Sequence, residues 1–280
     1  MSGAELPERQ EYSSIIVVGG GCYGGYYVRQ LHRAAAAGAL TAREIVVVDR
    51  DPDCAVARDA ATPPPGASAS GIPPTRIVVA EWRDYFDQYL SAAADAPAQH
   101  AHDAIVPSPL MPHLMAEWLV ERVRRRWPER QAMTRPFAHP PDTPWGRAGD
   151  DGVHYVSFAT WMCPINCIEP RICPHTRDTR TWSLPEHLEA YGRDEAAAGR
   201  ALTLAVLHCR HRAYGVGMFD TAAVTAADEE IRLAAEASAA NVVIGTVSHC
   251  HGALTRLEIA APRETRATPA VVVPVDSHDR

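Results

Sequence analysis

Short uninterrupted apolar runs alternate along the chain with longer stretches in which apolar residues recur every three or four positions. The stretch "SSIIVVGGGCYGGYYVRQLHRAAAAG" opens with four β-branched residues, Ile15 to Val18, breaks at glycine and resumes with helical spacing, which predicts strand, turn and helix. In "EIVVVDRDP" the run Val46, Val47, Val48 has the pattern of a strand covered on both faces. The proline-rich "TPPPGASASGIPP" is a loop, "TRIVVA" a third strand, and "EWRDYFDQYLSAA" a helix. A fourth strand, "DAIVPSP", leads into the helix "HLMAEWLVERVRRRW". From Pro128 to Asp151 the chain is rich in proline, glycine and charge and reads as a loop or linker. Three more apolar runs follow, "VHYVSFA", "LTLAVLH" and "NVVIGTV", and "LTRLEIA" reads as an edge strand. Strands alternating with helices predict an α/β fold with a doubly wound, mostly parallel sheet, which the later strands are expected to continue.

Charge and composition narrow the partners. A net charge of −7 argues against a nucleic-acid surface, which would need clustered positive charge. The one basic run, Arg122 to Arg126, falls at a helix end, where cations complement the macrodipole. No run approaches the ~18 apolar residues of a membrane span, and the opening "MSGAELPERQEY" lacks the apolar region of a signal peptide, so a cytoplasmic protein without membrane insertion is expected. Seven cysteines, an odd number, do not suit a disulfide framework in a reducing compartment and point to metal binding or thiol chemistry. All 27 basic residues are arginine. The absence of lysine excludes an internal Schiff base, a tyrosine–lysine dehydrogenase pair and a Walker-type phosphate loop.

Gly19, Gly21 and Gly24 form G-x-G-x-x-G, with Gly20 inside the turn, directly between a strand and a helix. Asp49 ends the next strand, near the ~20-residue offset at which a carboxylate meets a ribose. On these residues the segment from Ser14 to Trp127 resembles the Rossmann-type NAD(P)-binding superfamily. The resemblance implies a Rossmann-like sheet and a dinucleotide held at Gly19, Gly20, Gly21, Gly24 and Asp49. Asp49 disfavours the phosphate of NADP, while the adjacent Arg50 leaves that preference open; FAD and S-adenosylmethionine domains share the same turn. The organisation expected is an arm at 1–12, a dinucleotide-binding domain at 13–127, a linker at 128–151, a cysteine-rich α/β part at 152–262 and a tail at 263–280 suited to a partner surface.

The stretch "WMCPINCIEPRICPHTRDTRTW" holds Cys163, Cys167 and Cys173 with spacing C-x3-C-x5-C, followed by His175. That spacing is neither a zinc ribbon nor a ferredoxin run. Position carries more weight: Cys163, Cys209 and Cys250 each follow one of the three later apolar runs, and strand ends in an open parallel sheet converge on one edge. Cys163, Cys167, Cys173, Cys209 and Cys250 are therefore candidate ligands of an iron–sulfur cluster or a zinc ion, with structural thiols as the plain alternative for Cys209 and Cys250. Cys22 and Cys54 are expected to be structural. His211 and His251, flanking those cysteines, and His113, at a helix start after the fourth strand, are candidate proton donors. Glu169 and Arg171 could bind substrate or pair with each other. The resulting expectation is an NAD(P)-linked oxidoreductase acting on a small molecule or a redox partner protein, or a subunit of a larger redox complex. The alternative is a nucleotide-binding sensor or docking subunit with a structural metal.

Overall fold

The computed structural model describes residues 10–61, 71–149, 152–164 and 167–262, so the predicted arm and tail lie largely outside the described residues. The chain runs β1 (Gln10–Val18), α1 (Cys22–Ala36), β2 (Leu40–Asp49), α2 (Ala55–Ala61), β3 (Thr75–Val79), α3 (Trp82–Asp95), β4 (Ala104–Val106) and α4 (Leu114–Arg126). It continues through β5 (Ala132–Arg135), β6 (Trp145–Ala148), β7 (His154–Ser157), α5 (Leu184–Ala197), β8 (Thr203–His208), β9 (Arg210–Ala213) and β10 (Val216–Asp220). α6 (Thr221–Ala235), β11 (Ala240–Val247) and β12 (His251–Ile259) complete it.

The α/β class is as expected, but the strands divide between two mixed sheets. The first has the order β3-β2-β1-β4-β10-β9: its first four strands are parallel, and β10 and β9 are antiparallel additions. The second has the order β6-β7-β12-β11-β8, with β5 paired to β12. Of the later strands, β9 and β10 therefore extend the first sheet, whereas β7, β8, β11 and β12 do not continue it. Nor is 128–151 a plain linker, since β5 and β6 pair into the second sheet. "LTRLEIA" is not an edge strand, because β12 pairs with β11 on one side and with β7 and β5 on the other.

Packing explains the division. Alternate residues of β1 and β2 point to opposite faces, as the period of a strand requires. Ile15, Val17, Ile45 and Val47 pack with α1, while Ile16, Val18, Val46 and Val48 join a core that includes Phe86, Leu90, Leu119 and Ile231 of α3, α4 and α6. The same core takes in Ala205, Leu207, Val242 and Ile244 of β8 and β11. Three helices thus lie between the two sheets: α3 packs on β2, α4 on β5 and β11, and α6 on β10 of the first sheet and on β8 and β11 of the second. α5 covers the outer face of the second sheet through Leu184 and Leu188.

Three connections pass between the sheets, the first being α4, which leads from β4 to β5. α6 carries the chain from β10 to β11, and Cys209 alone separates β8 of the second sheet from β9 of the first. The β9–β10 hairpin closes through Tyr214 and Gly215, both at positive φ (47° and 80°), the type I′ turn that matches strand twist. "YGVGMFD", for which the sequence suggests no chemistry, is this turn and strand. Among the described residues no helix is long and apolar enough to cross a membrane.

Candidate functional site

At the end of β1 the backbone turns through Gly19, whose φ of +85° is a glycine conformation. A Cβ at Gly20 would lie 2.4 Å from Cys54 Sγ, and one at Gly24 would lie 1.8 Å from the carbonyl oxygen of Gly19. The fold itself therefore requires these three glycines. Gly21 differs: it caps α1 at a φ of −75°, and nothing lies within 4 Å of the position its Cβ would occupy. No side chain caps this helix start, which leaves its N–H groups and the positive end of its dipole free to meet an anion. Asp49 Oδ2 accepts the Gly20 N–H at 2.6 Å and Oδ1 the Asp51 N–H at 2.9 Å. A carboxylate with two accepted bonds retains further lone pairs for a hydroxyl. A cavity of about 540 Å³, bounded by Gly21, Arg29, Asp49 and Arg58, adjoins the turn.

A second cavity, of about 650 Å³, opens where the two sheets meet. Because β12 is antiparallel to both β7 and β11, and β8 is parallel to β11, strands β7, β8 and β11 all end on one edge. Val247 stands beside His208 and Gly252, and Ser157 beside His251. The expected convergence of the later strand ends thus occurs, in a sheet of their own. Cys163, Cys209 and His251 line this cavity from that side; His211 of β9, Ser108, just past β4, and Tyr27 of α1 line it from the first sheet.

All seven cysteines are free thiols. Cys167 Sγ accepts the Glu169 N–H at 3.4 Å, and Cys250 Sγ accepts the Trp182 indole N–H at 3.3 Å. Cys173 is buried, and the Thr176 and His175 N–H groups beside its sulfur hold the thiol below its ordinary range against the opposing effect of burial. Burial pushes the Cys163 thiol up, and Cys167 and Cys173 add to the rise. Among the described residues no three Cys, His, Asp or Glu side chains are grouped as the ligands of one ion. Cys54 is buried beneath Gly20 and Cys22 is exposed at the start of α1.

Glu169 is the residue whose place the sequence does not reveal. It adopts a φ of 49° and turns inward to a buried position, whereas Arg171 stays exposed. Its carboxylate accepts the His249 N–H at 3.1 Å and the Cys250 N–H at 3.2 Å, and Oε2 lies 3.6 Å from His211 Nδ1. Burial would raise its pKa, but His211, Ser248 and the His249 N–H together hold it well below the usual carboxylate range. The cysteine loop is thereby tied to the β11–β12 turn.

The three candidate histidines separate. His211 and His251 line the inter-sheet cavity, and desolvation there lowers His251. His113 lies elsewhere: buried at the start of α4, it lines a different cavity, with Nδ1 3.2 Å from Thr246 Oγ1 and Nε2 2.9 Å from Thr255 Oγ1. His208 and His249 meet edge to face at 4.7 Å; burial, then the neighbouring His249, lowers His208 to about 4. His175 stacks on Trp161 with ring centres 4.5 Å apart.

Residues 115–260, just over half of the chain, match the family model AF_1314_C, described as "Uncharacterized protein, C-terminal domain". The matched span includes the cysteine loop and the later strand ends, while the glycine turn precedes it. No curated protein and no solved structure matches the chain.

Proposed function

The chain belongs to the AF_1314_C family, and we propose that it is a dinucleotide-dependent oxidoreductase whose first sheet is of the Rossmann type, with NAD(P) held at the Gly19–Gly24 turn and Asp49. The observation that carries this reading is Gly21. Its neighbouring glycines have internal reasons to lack a side chain, but Gly21 faces open space at an unstrained φ. Close approach of a pyrophosphate to the uncapped start of α1 supplies the missing reason. Asp49 retains the acceptor capacity a ribose needs, and the cavity past β4 offers room for the reactive end of the cofactor beside His211 and His251.

Tryptophan fluorescence titration with NAD(H), NADP(H) and FAD tests it, with Trp82 as the reporter, since its ring lies 3.2 Å from the position of a Gly19 Cβ. One dinucleotide is expected to saturate the signal. Gly21→Ala should leave unfolding stability within ~0.5 kcal/mol of wild type, as a substitution without new contacts does, and weaken binding at least tenfold. Unchanged affinity in that variant, or no binding by any of the dinucleotides, overturns the reading.

A second proposal concerns the loop. N–H groups directed at the sulfur of Cys173 favour its thiolate over the thiol, the state in which cysteine ligates metal. Cys163, Cys167 and Cys173 would then hold zinc or an iron–sulfur cluster once the loop draws their sulfurs together.

A further inference from the structure

We propose that Cys209 is a nucleophile that adds to an aldehyde in the inter-sheet cavity, with His211 as its general base and Glu169 as the positioning residue behind the imidazole. The choice of an aldehyde rests on the oxidoreductase reading above. The nucleophile and its base rest on geometry alone.

Cys209 is the only residue between β8 and β9, so the passage of the chain from one sheet to the other sets it in the crevice. Its N–H is spent on the Val247 carbonyl at 2.7 Å, which fixes the backbone. His211 is two residues on, on the same side of an extended chain, and both side chains line the cavity. They converge at Gly217, across the hairpin: the position of a Cβ there lies 2.9 Å from Cys209 Sγ and 3.4 Å from His211 Nε2. Any larger residue would displace the sulfur. Behind His211, Nδ1 is buried without a hydrogen bond in the described structure and faces Glu169 Oε2 at 3.6 Å. Nucleophile, base and orienting carboxylate thus follow one another into a space large enough for a small organic molecule.

Burial pushes the Cys209 thiol well up, so the resting sulfur is protonated and reacts only as a base removes its proton. In the step proposed, the S–H proton passes to His211 Nε2 while sulfur attacks the carbonyl carbon. The C=O π pair moves to oxygen, and the proton returns from His211 to that oxygen, which gives a hemithioacetal with nothing oxidised or reduced. Glu169 favours the imidazolium that exists in between. Tyr27, which lines the same cavity and is kept protonated by burial, can donate to the developing alkoxide. A bound NAD(P)+ would supply the hydride acceptor for conversion of that adduct to a thioester.

Site-resolved alkylation by iodoacetamide, followed by mass spectrometry without added nucleotide, tests the inference on the full chain. Exposed Cys22 serves as the internal reference. Acetaldehyde, butanal or benzaldehyde should protect Cys209 and not Cys22, and the corresponding alcohols should protect neither. His211→Gln should slow alkylation of Cys209 at least tenfold relative to Cys22, and Glu169→Gln should shift the pH midpoint of Cys209 alkylation without moving that of Cys22. Equal protection by alcohols and aldehydes, or an unchanged Cys209 rate in His211→Gln, overturns the proposal. Because no nucleotide enters this experiment, its failure is separable from a failure to bind dinucleotide.

Discussion

The carboxylate of Glu169 accepts the backbone N–H of Cys250 at 3.2 Å, joining two cysteine-bearing segments 81 positions apart in sequence. Both oxygens are used on the β11–β12 turn, and one also faces His211. A single buried charge therefore holds the loop, the turn and the hairpin histidine in one arrangement.

Removal of that charge should be costly. Glu169→Ala leaves the His249 N–H without its acceptor and the Cys250 N–H with Ser248 Oγ at 3.3 Å, and a loss of about 2–4 kcal/mol is expected, read as a lower urea midpoint. Glu169→Gln, which keeps one acceptor oxygen, should recover part of it. The folded-state pKa lies below the ordinary 4.5, so the stabilisation is present above that value and is lost as pH falls beneath it.

His208 produces an acid response in a different range. Its folded pKa of about 4 lies below the ordinary 6.5, so the unfolded chain binds its proton first and stability falls as pH drops from 6.5 toward 4. His208→Gln should flatten the dependence of the thermal midpoint on pH across that interval. A slope identical to wild type would assign the acid response to other groups, His249 first, since the two rings are in contact.

For the cysteine loop, protein purified without oxygen should carry either iron with acid-labile sulfide and a broad visible band, or stoichiometric zinc. Cys173→Ser should abolish that content, because Cys173 has the sulfur best served by N–H donors. Metal-free, colourless wild-type protein that remains folded would overturn the metal reading and leave the loop held by protein contacts, among them Glu169, the Trp182 indole on Cys250 Sγ and the stacked Trp161 and His175.

Much of the first sheet was readable because its signals are local. Four β-branched residues, a glycine turn and an amphipathic helix follow one another without interruption, and Val46 to Val48 read as covered on both faces because they are. The shared edge of the later strands was readable for the same reason: each run is short, apolar and ended by a cysteine or histidine segment. The second sheet was not, since the partner a strand chooses depends on residues far away. β5 and β6 are four residues each, with Met133 and Trp145 exposed, and show no alternation to set them apart from a loop. Glu169 was hidden by its backbone, because nothing in "CIEPR" announces a left-handed residue that turns a carboxylate into the interior.

The helices between the two sheets bear on where this chain can be divided. The span that matches the family begins at residue 115, inside α4, and includes β9 and β10, which among the described residues join a larger sheet through β4. A fragment cut there would carry a hairpin with no strand to receive it and would open to water the side of α6 that packs against α3. The span that matches the family and the unit that folds are therefore different lengths of the same polypeptide: the match takes in the second sheet and the β9–β10 hairpin, but cooperativity has to be counted from β1.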